Sequence, residues 1–181
     1  SVGGLFSSVG SGGGSFSCTR SGGIRGASGG GICSSSGGFC GSLRGVGSGH
    51  LASSVAACFD NGGERCFVSW ADPAQGAEPA LIAAIDRLGP VDDLDLVAVP
   101  DAMALQRTGG DVDRDAAARV QAHLIVHCTR HGNRFAILDA FSGSSVDTVI
   151  AQRERIVRGL VEPLDAALYY PWVRTSDNRL E

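Results

Sequence analysis

Two aspartates follow apolar runs of the chain and are candidates for metal-assisted chemistry. Asp101 comes after the apolar run 94–99, and Asp139 follows the run 135–138. If both runs are strands of an open α/β sheet, the two carboxylates lie at its carboxyl edge, where ligands usually bind. Two carboxylates there could hold Mg²⁺ for phosphoryl transfer. Their positions favour the simpler interpretation, in which both aspartates hydrogen-bond nearby turn amides.

Three histidines, His123, His127 and His131, are spaced four residues apart and lie beside Cys128. On a helix this spacing places the imidazoles along one stripe, an arrangement that zinc could use. However, His127 falls on the apolar side of the helical wheel, and no carboxylate in the adjacent turns could orient the rings. His131 precedes Gly132, where a cation favours the end of a helix. The pattern therefore favours buried or capping histidines over a metal site, and we expect no metal.

A third candidate is the segment 47–52, GSGHLA, which matches the G-x-G-x-x-A pattern of dinucleotide-binding folds. Gly47 and Gly49 would let backbone amides approach a pyrophosphate at a helix N-terminus. Asp72 lies just past the next predicted strand, where such folds place the acid that binds the ribose. The strand that must precede the motif is weak, because 37–46 holds only isolated apolar residues among glycines. A Rossmann-like nucleotide- or dinucleotide-binding enzyme is therefore the alternative hypothesis, and we expect no cofactor.

The basic residues exclude several kinds of catalysis. All 15 are Arg, so the chain has no Lys for a P-loop, a Schiff base or a Ser-Lys pair. A phosphate site would have to use Arg107 or Arg174 instead. No G-x-S-x-G elbow is present, and Ser144 and Ser145 lie in a turn that a helix cap explains. The sequence therefore predicts a protein that is not an enzyme.

Hydrophobic periodicity from His50 onward alternates between strand and helix. Apolar residues at helical spacing predict four helices near 51–59, 79–88, 113–131 and 145–157. Short apolar runs between them predict four strands at 66–68, 94–99, 135–138 and 166–173. Short buried strands joined by helices are typical of an α/β fold, a mostly parallel, doubly wound sheet with helices on both faces.

The composition divides the chain into two unlike parts. Residues 1–49 contain 18 Gly, 13 Ser, three Arg and no acid, and they predict a flexible or arm-like segment. The whole chain carries a net charge of −4, so residues 50–181 carry −7, which disfavours nucleic acid and anionic lipid as partners. The predicted domains are this segment at 1–49, an α/β core domain at 50–175 and a truncated or short tail at 176–181.

Cysteine usage and hydropathy predict a soluble protein made in a reducing compartment. The six cysteines form no Cys-x-x-Cys pair, which favours reduced thiols. No apolar run approaches the roughly 20 residues needed to span a bilayer, and the chain begins without the basic cap and apolar block of a secretory signal. We expect no direct membrane insertion.

Four segments, in order, resemble the contractile tail sheath proteins of phages and related injection systems. Segment 59–68, FDNGGERCFV, is similar to the family's F-x-N-G-G-x-x-x-Y/F-V segment, and 95–103, DLVAVPDAM, resembles its strand-plus-proline segment. Segment 128–139 resembles C-x-x-x-x-x-R-F-A-I-L-D, and 166–174, AALYYPWVR, resembles the signature strand. The set spans roughly 50–177. Its motif residues are Asn61, Gly62, Gly63, Pro100, Asp101, Arg134, Phe135, Asp139, Tyr169, Tyr170, Pro171 and Trp172.

This resemblance implies a structural subunit with a subtilisin-like core and no protease activity. In that family many copies wrap an inner tube as a helical sleeve, which contracts and drives the tube through a target envelope. The implied partners are other sheath subunits, the inner tube protein, and baseplate and terminator proteins. The implied location is a virion tail or contractile injection particle assembled in the bacterial cytoplasm. The family normally begins with a structured arm and continues into a C-terminal domain, so we expect a fragment, a minimal relative or a divergent protein.

Overall fold

The computed structural model describes residues 3–9, 15–19, 33–34, 50–61, 65–71, 76–92, 94–161 and 164–173. Strands and helices alternate through most of these residues. The strands are β1 (Gly3–Val9), β2 (Ser15–Thr19), β3 (Cys33–Ser34), β4 (Arg65–Ala71), β5 (Leu96–Ala98), β6 (Phe135–Asp139) and β7 (Ala166–Tyr169). The helices are α1 (Leu51–Asp60), α2 (Ala77–Asp86), α3 (Arg114–His131) and α4 (Val146–Val157), with a 3₁₀ helix, η1, at Pro100–Ala104.

The strands form one sheet in the order β3-β2-β4-β1-β5-β6-β7. β1 pairs in parallel with both β4 and β5, and β6 pairs in parallel with both β5 and β7. β2 runs antiparallel to β4. Across the parallel part, Val97 lies opposite Ala136, which lies opposite Ala166. The fold is thus mixed α/β with a parallel sheet, as the sequence predicts.

Helices cover both faces of the sheet. Ser69 Oγ donates to Ala84 O at 2.9 Å, so Ser69 faces α2, and Phe67, on the same face of β4, packs against the main core. Cys66 and Val68 project from the opposite face and are buried too, and α1 contacts β1 and β4. α2 packs against α3, and α3 packs against α4. Both faces of β4 are therefore buried, as expected for a strand with helices on either side.

The main core lies between the sheet and the α2–α4 layer. Its largest fully buried side chains come from these helices, from the segments around β5 and from the loop after α2, and include Leu81, Ile85, Leu88, Leu94, Val97, Val120, Leu124, Ile125 and Ile156. Small residues on the facing surfaces, such as Ala84, Ala117 and Ala136, let the backbones approach closely. Burial of apolar surface at about 25 cal/mol per Å² is the term that holds this layer on the sheet.

Two helices begin, and one of them ends, at residues that the sequence predicts. The Asp113 side chain accepts a hydrogen bond from Ala116 N at the start of α3, and Gly132, at φ 68°, ends the helix in the left-handed conformation. Ser145, one of two predicted caps, accepts from Thr148 N at the start of α4. Ser144 Oγ, the other, is buried without a hydrogen-bond partner within the described part of the chain.

The strands differ from the prediction in number and length. Four were predicted, and each of them is present, but β5 and β7 are shorter than 94–99 and 166–173. The described sheet has three further strands, β1 to β3, which come from the Gly/Ser-rich segment 1–49 and have too few apolar residues to be recognised by pattern. The proposed division into domains stays a prediction. Within the described residues, the helices are all too short or too polar to cross a membrane.

Candidate functional site

Asp101 and the start of α1 meet at the carboxyl edge of the sheet. Asp101, which is only 5% exposed, lies in η1 directly after β5. Its Oδ1 accepts hydrogen bonds from His50 N at 2.7 Å and from Leu51 N at 3.2 Å. A carboxylate from 50 residues further along the chain therefore caps α1, where the helix dipole also favours negative charge.

This cap bears on the dinucleotide hypothesis. A pyrophosphate at the start of α1 would need the free backbone amides of the helix N-terminus. Two of those amides, at His50 and Leu51, already donate to Asp101. Gly47, Gly49 and Asp72, the other parts of the hypothesis, lie outside the described residues.

Asp139 ends β6 and is held by a buried amide network. Its backbone oxygen accepts from Gln121 Nε2 and Gln152 Nε2, both at 2.9 Å. Gln152 also donates to Gln121 Oε1 at 3.1 Å and accepts from Phe141 N at 3.1 Å. Burial raises the pKa of the Asp139 carboxyl, and the nearby His50 opposes this rise. The network joins α3, α4 and the end of β6 through directional contacts.

The aromatic residues after β7 pack onto the loop that follows β6. Trp172 Nε1 donates to Ala140 O, and the Trp172 ring meets the His50 ring edge-on with centroids 4.9 Å apart. Tyr170 OH donates to Ser144 O at 3.0 Å. The peptide bond between Tyr170 and Pro171 is cis. Trp172 and Tyr170 thus brace the loop, whereas Tyr169 is 57% exposed.

The three histidines of α3 do not converge on one point. His123 Nε2 lies 2.7 Å from Asp86 Oδ1, a carboxylate supplied by α2 and not by the adjacent turns of α3. The rings of His127 and His131 lie together, with centroids 4.6 Å apart. Among the described residues, no group of three or more His, Cys, Asp or Glu side chains is placed to hold a metal ion.

Arg134 connects three parts of the fold from a buried position. Its guanidinium donates to Leu88 O at 3.2 Å and to Val91 O at 2.8 Å in the loop between α2 and β5. It also donates to Asn133 Oδ1 at 3.1 Å and lies 3.0 Å from His127 Nε2. Because a guanidinium can only donate, His127 Nε2 accepts and its ring is neutral. Arg134 is 4% exposed.

The neutral state of His127 has clear physical causes. Burial lowers the pKa of its imidazole most, and the nearby His131 and Arg134 lower it further, to about 4. Burial likewise raises the pKa of the Cys128 thiol, to about 12, so this thiol stays protonated at neutral pH. Cys58, Cys66 and Cys128 are free cysteines.

The sequence-predicted residues fall into two groups. One group lies at the carboxyl edge of the sheet and consists of Asp101, Asp139, Tyr170 and Trp172. The other group, Arg134 and the three histidines of α3, lies away from this edge, along α3 and near the loop that follows α2. Of the remaining motif residues, Pro100 begins η1, Phe135 begins β6 and Asn61 is exposed after α1. Gly62 and Gly63 lie outside the described residues.

Sequence reasoning missed three contributors. His50 is a variable position of the segment 47–52, and Gln121 and Gln152 belong to no motif. Only the position of the two glutamines on apolar helix faces could have indicated a buried amide pair. Taken together, the contacts at the carboxyl edge of the sheet cap α1 and hold the loop after β6 in place. Their role in the described structure is to position these segments.

Comparison with models of protein families finds no match for this chain, and a search of curated proteins finds none either.

Proposed function

We propose that this protein is a structural subunit of a contractile tail sheath, in a phage tail or a related contractile injection system. The observation that carries the proposal is the ordered set of four family-like segments between residues 59 and 174. In this function many copies assemble helically around an inner tube and contract to drive it through a target envelope. The free energy lies in contacts between subunits, so the chain needs no cofactor and no catalytic residue.

The roles of the motif residues support this proposal. Asp101 caps α1, Arg134 ties the loop after α2 to α3, and Trp172 braces the loop after β6. Each of these side chains forms hydrogen bonds with backbone groups of the same chain. A subunit that must act as a rigid building block needs such bracing, because buried directional contacts favour one packing arrangement over its competitors.

The edge of the sheet offers a surface through which copies could join. β7 is the outermost strand on its side of the described sheet. Asp165 O accepts from Ala136 N of β6, and Tyr169 O accepts from Ala140 N just after β6, so the alternate N–H of Leu168 faces away from the sheet. Tyr169 and Val173 are 57% and 60% exposed beside it. An added strand from a neighbouring subunit would pair with this edge, and contacts that do not close into a ring generate helical assemblies.

The finer fold and the partners belong to the same proposal. We propose a subtilisin-like core without protease activity, supported by the parallel β5-β6-β7 sheet and its helices. The proposed partners are other copies of the subunit, an inner tube protein, and baseplate and terminator proteins. The particle would be assembled in the bacterial cytoplasm as a virion tail or injection particle.

Electron microscopy of the protein co-expressed with its genomic neighbours tests the proposal. We expect tubes, sleeves or empty polysheath of uniform diameter. Lysine substitutions on the exposed edge, Tyr169→Lys and Val173→Lys, should reduce assembly while leaving the thermal unfolding of the monomer unchanged, because charge on an edge strand opposes strand addition. Val112→Lys, at an exposed apolar residue of another loop, is the matched control. Monomers alone under all conditions would contradict the proposal.

A further inference from the structure

A cavity of about 480 Å³ lies between the end of α4 and the strands β6 and β7. Its floor is apolar and belongs to the main core, since Ile125, Leu138 and Ile156 are all nearly fully buried. Leu164, Ala166 and Leu168 form the wall along β7. The volume falls in the range of small-molecule sites, roughly 300–1,000 Å³, which are also mostly apolar with a few polar groups.

Of the described residues that line this cavity, one is charged. Arg153 belongs to α4, three residues before Ile156, and its side chain is exposed at the rim. Within the described part of the chain, no carboxylate forms a salt bridge with Arg153, although Arg107, Arg119 and Arg155 all have such partners. Among the described residues, the rim therefore offers a guanidinium without a carboxylate partner next to an apolar space.

We propose that this cavity binds a small anionic amphiphile, a carboxylate with a medium-length alkyl chain. The alkyl chain lies over this floor and against the partly exposed Val157, Leu164 and Leu168, where it removes apolar surface from water. The carboxylate meets the Arg153 guanidinium, whose planar pair of N–H groups matches two carboxylate oxygens. This site is separate from the carboxyl-edge cluster of Asp101, and it does not depend on the sheath proposal.

Methyl NMR of the full chain, titrated with decanoate below its micelle concentration, tests the proposal. We expect saturable shifts of the methyl groups of Ile125, Leu138, Ile156 and Leu168, and small shifts at the distant Leu51 and Val55 on the other face of the sheet. Decyltrimethylammonium, with the same chain and the opposite charge, should bind at least about tenfold more weakly. Shifts of equal size for the two ligands would overturn the charge argument.

Two variants separate the contributions of the charge and the cavity. Arg153→Gln removes the anion contact at an exposed position, so the fold should be kept while decanoate binding weakens about three- to tenfold. Arg155→Gln, on the same helix but paired with Asp115, is the control and should bind as the parent does. Ala166→Leu places a larger side chain in the cavity, so it should weaken the binding of both decanoate and decyltrimethylammonium.

Three results would overturn the proposal. The first is the absence of saturable shifts at the cavity methyls. The second is unchanged decanoate affinity in Arg153→Gln, confirmed to be folded by circular dichroism. The third is a shift of the same methyls with protein concentration and no ligand, which would assign the cavity to a second copy of this chain.

Discussion

The buried imidazole of His127 should make the stability of the fold depend on pH. Its pKa is lowered from 6.5 to about 4, mainly by burial. In the unfolded chain the same imidazole takes up a proton near its ordinary pKa. Between these two values the unfolded state binds more protons than the native state, so the free energy of unfolding falls as the pH falls. The stabilisation is complete above about pH 6.5 and is lost progressively down to about pH 4.

The size of this effect follows from the two pKa values. A tenfold change in proton affinity corresponds to about 1.4 kcal/mol, so the change from 6.5 to about 4 corresponds to about 3 kcal/mol. Domains of this size are typically stable by about 5–15 kcal/mol. His127 is 6% exposed and accepts from Arg134, so solvent does little to screen the cost of a second cation beside the guanidinium.

The substitution His127→Gln isolates this contribution. The glutamine amide oxygen can replace Nε2 as the acceptor for Arg134, and it does not titrate in this range. Urea unfolding followed by circular dichroism should be measured at several pH values between about 7.5 and 4. We expect the stability of the parent relative to the variant to fall by about 3 kcal/mol across this range. Other groups, such as Asp139, titrate in both proteins and cancel in the difference.

A matched control comes from the same helix. His123→Gln removes an imidazole that is partly exposed and pairs with Asp86 in place of Arg134. If the parent and His127→Gln lose stability in parallel as the pH falls, or if His123→Gln flattens the curve equally, the reasoning about the buried ring is wrong.

Three further substitutions test other contacts of the fold by urea unfolding at neutral pH. Asp101→Ala should cost about 1–2 kcal/mol because it removes the cap of α1, and Asp101→Asn, which keeps an acceptor, should cost less; equal costs would contradict the capping role. Gln152→Leu should cost about 1–3 kcal/mol because it leaves Phe141 N, a buried donor, unpaired, and a neutral outcome would show that the amide network contributes little. Gly132→Ala should cost about 1–2 kcal/mol from its positive φ alone, since nothing lies within 4 Å of the added Cβ, whereas Gly132→Asn should cost less.

Local features of the fold were predictable because their causes lie within a few residues. The cap at Asp113, the left-handed Gly132 and the helix between them follow from side chains and spacing in one stretch of sequence. The buried strand β6 follows from its unbroken apolar run. The strand β1 was not predictable, because Gly3–Val9 has few apolar residues and its place between β4 and β5 depends on pairing with distant segments.

For the contact between Asp101 and the start of α1, only the position of Asp101 was predictable from the sequence. The position of Asp101 after a strand indicated the carboxyl edge, and a turn-capping role was the favoured interpretation. Its partners, His50 N and Leu51 N, lie 50 residues or more away in the sequence, and no local pattern could have indicated them. The role of Arg134 was hidden in the same way, because its carbonyl acceptors belong to the loop after α2.

These buried polar contacts bear on how a sheath subunit could work. The amide pair of Gln121 and Gln152, the guanidinium of Arg134 and the carboxylate of Asp101 each join elements that are distant in sequence, and each leaves an unpaired buried group if the elements separate. An unpaired buried polar group costs about 1–3 kcal/mol, and separating these elements would leave several such groups unpaired at once. A core built this way favours one arrangement over its competitors. In the proposed function we therefore expect the two states of contraction to differ at the surface, at contacts such as the outer edge of β7 in the described sheet, while each subunit moves as a rigid body.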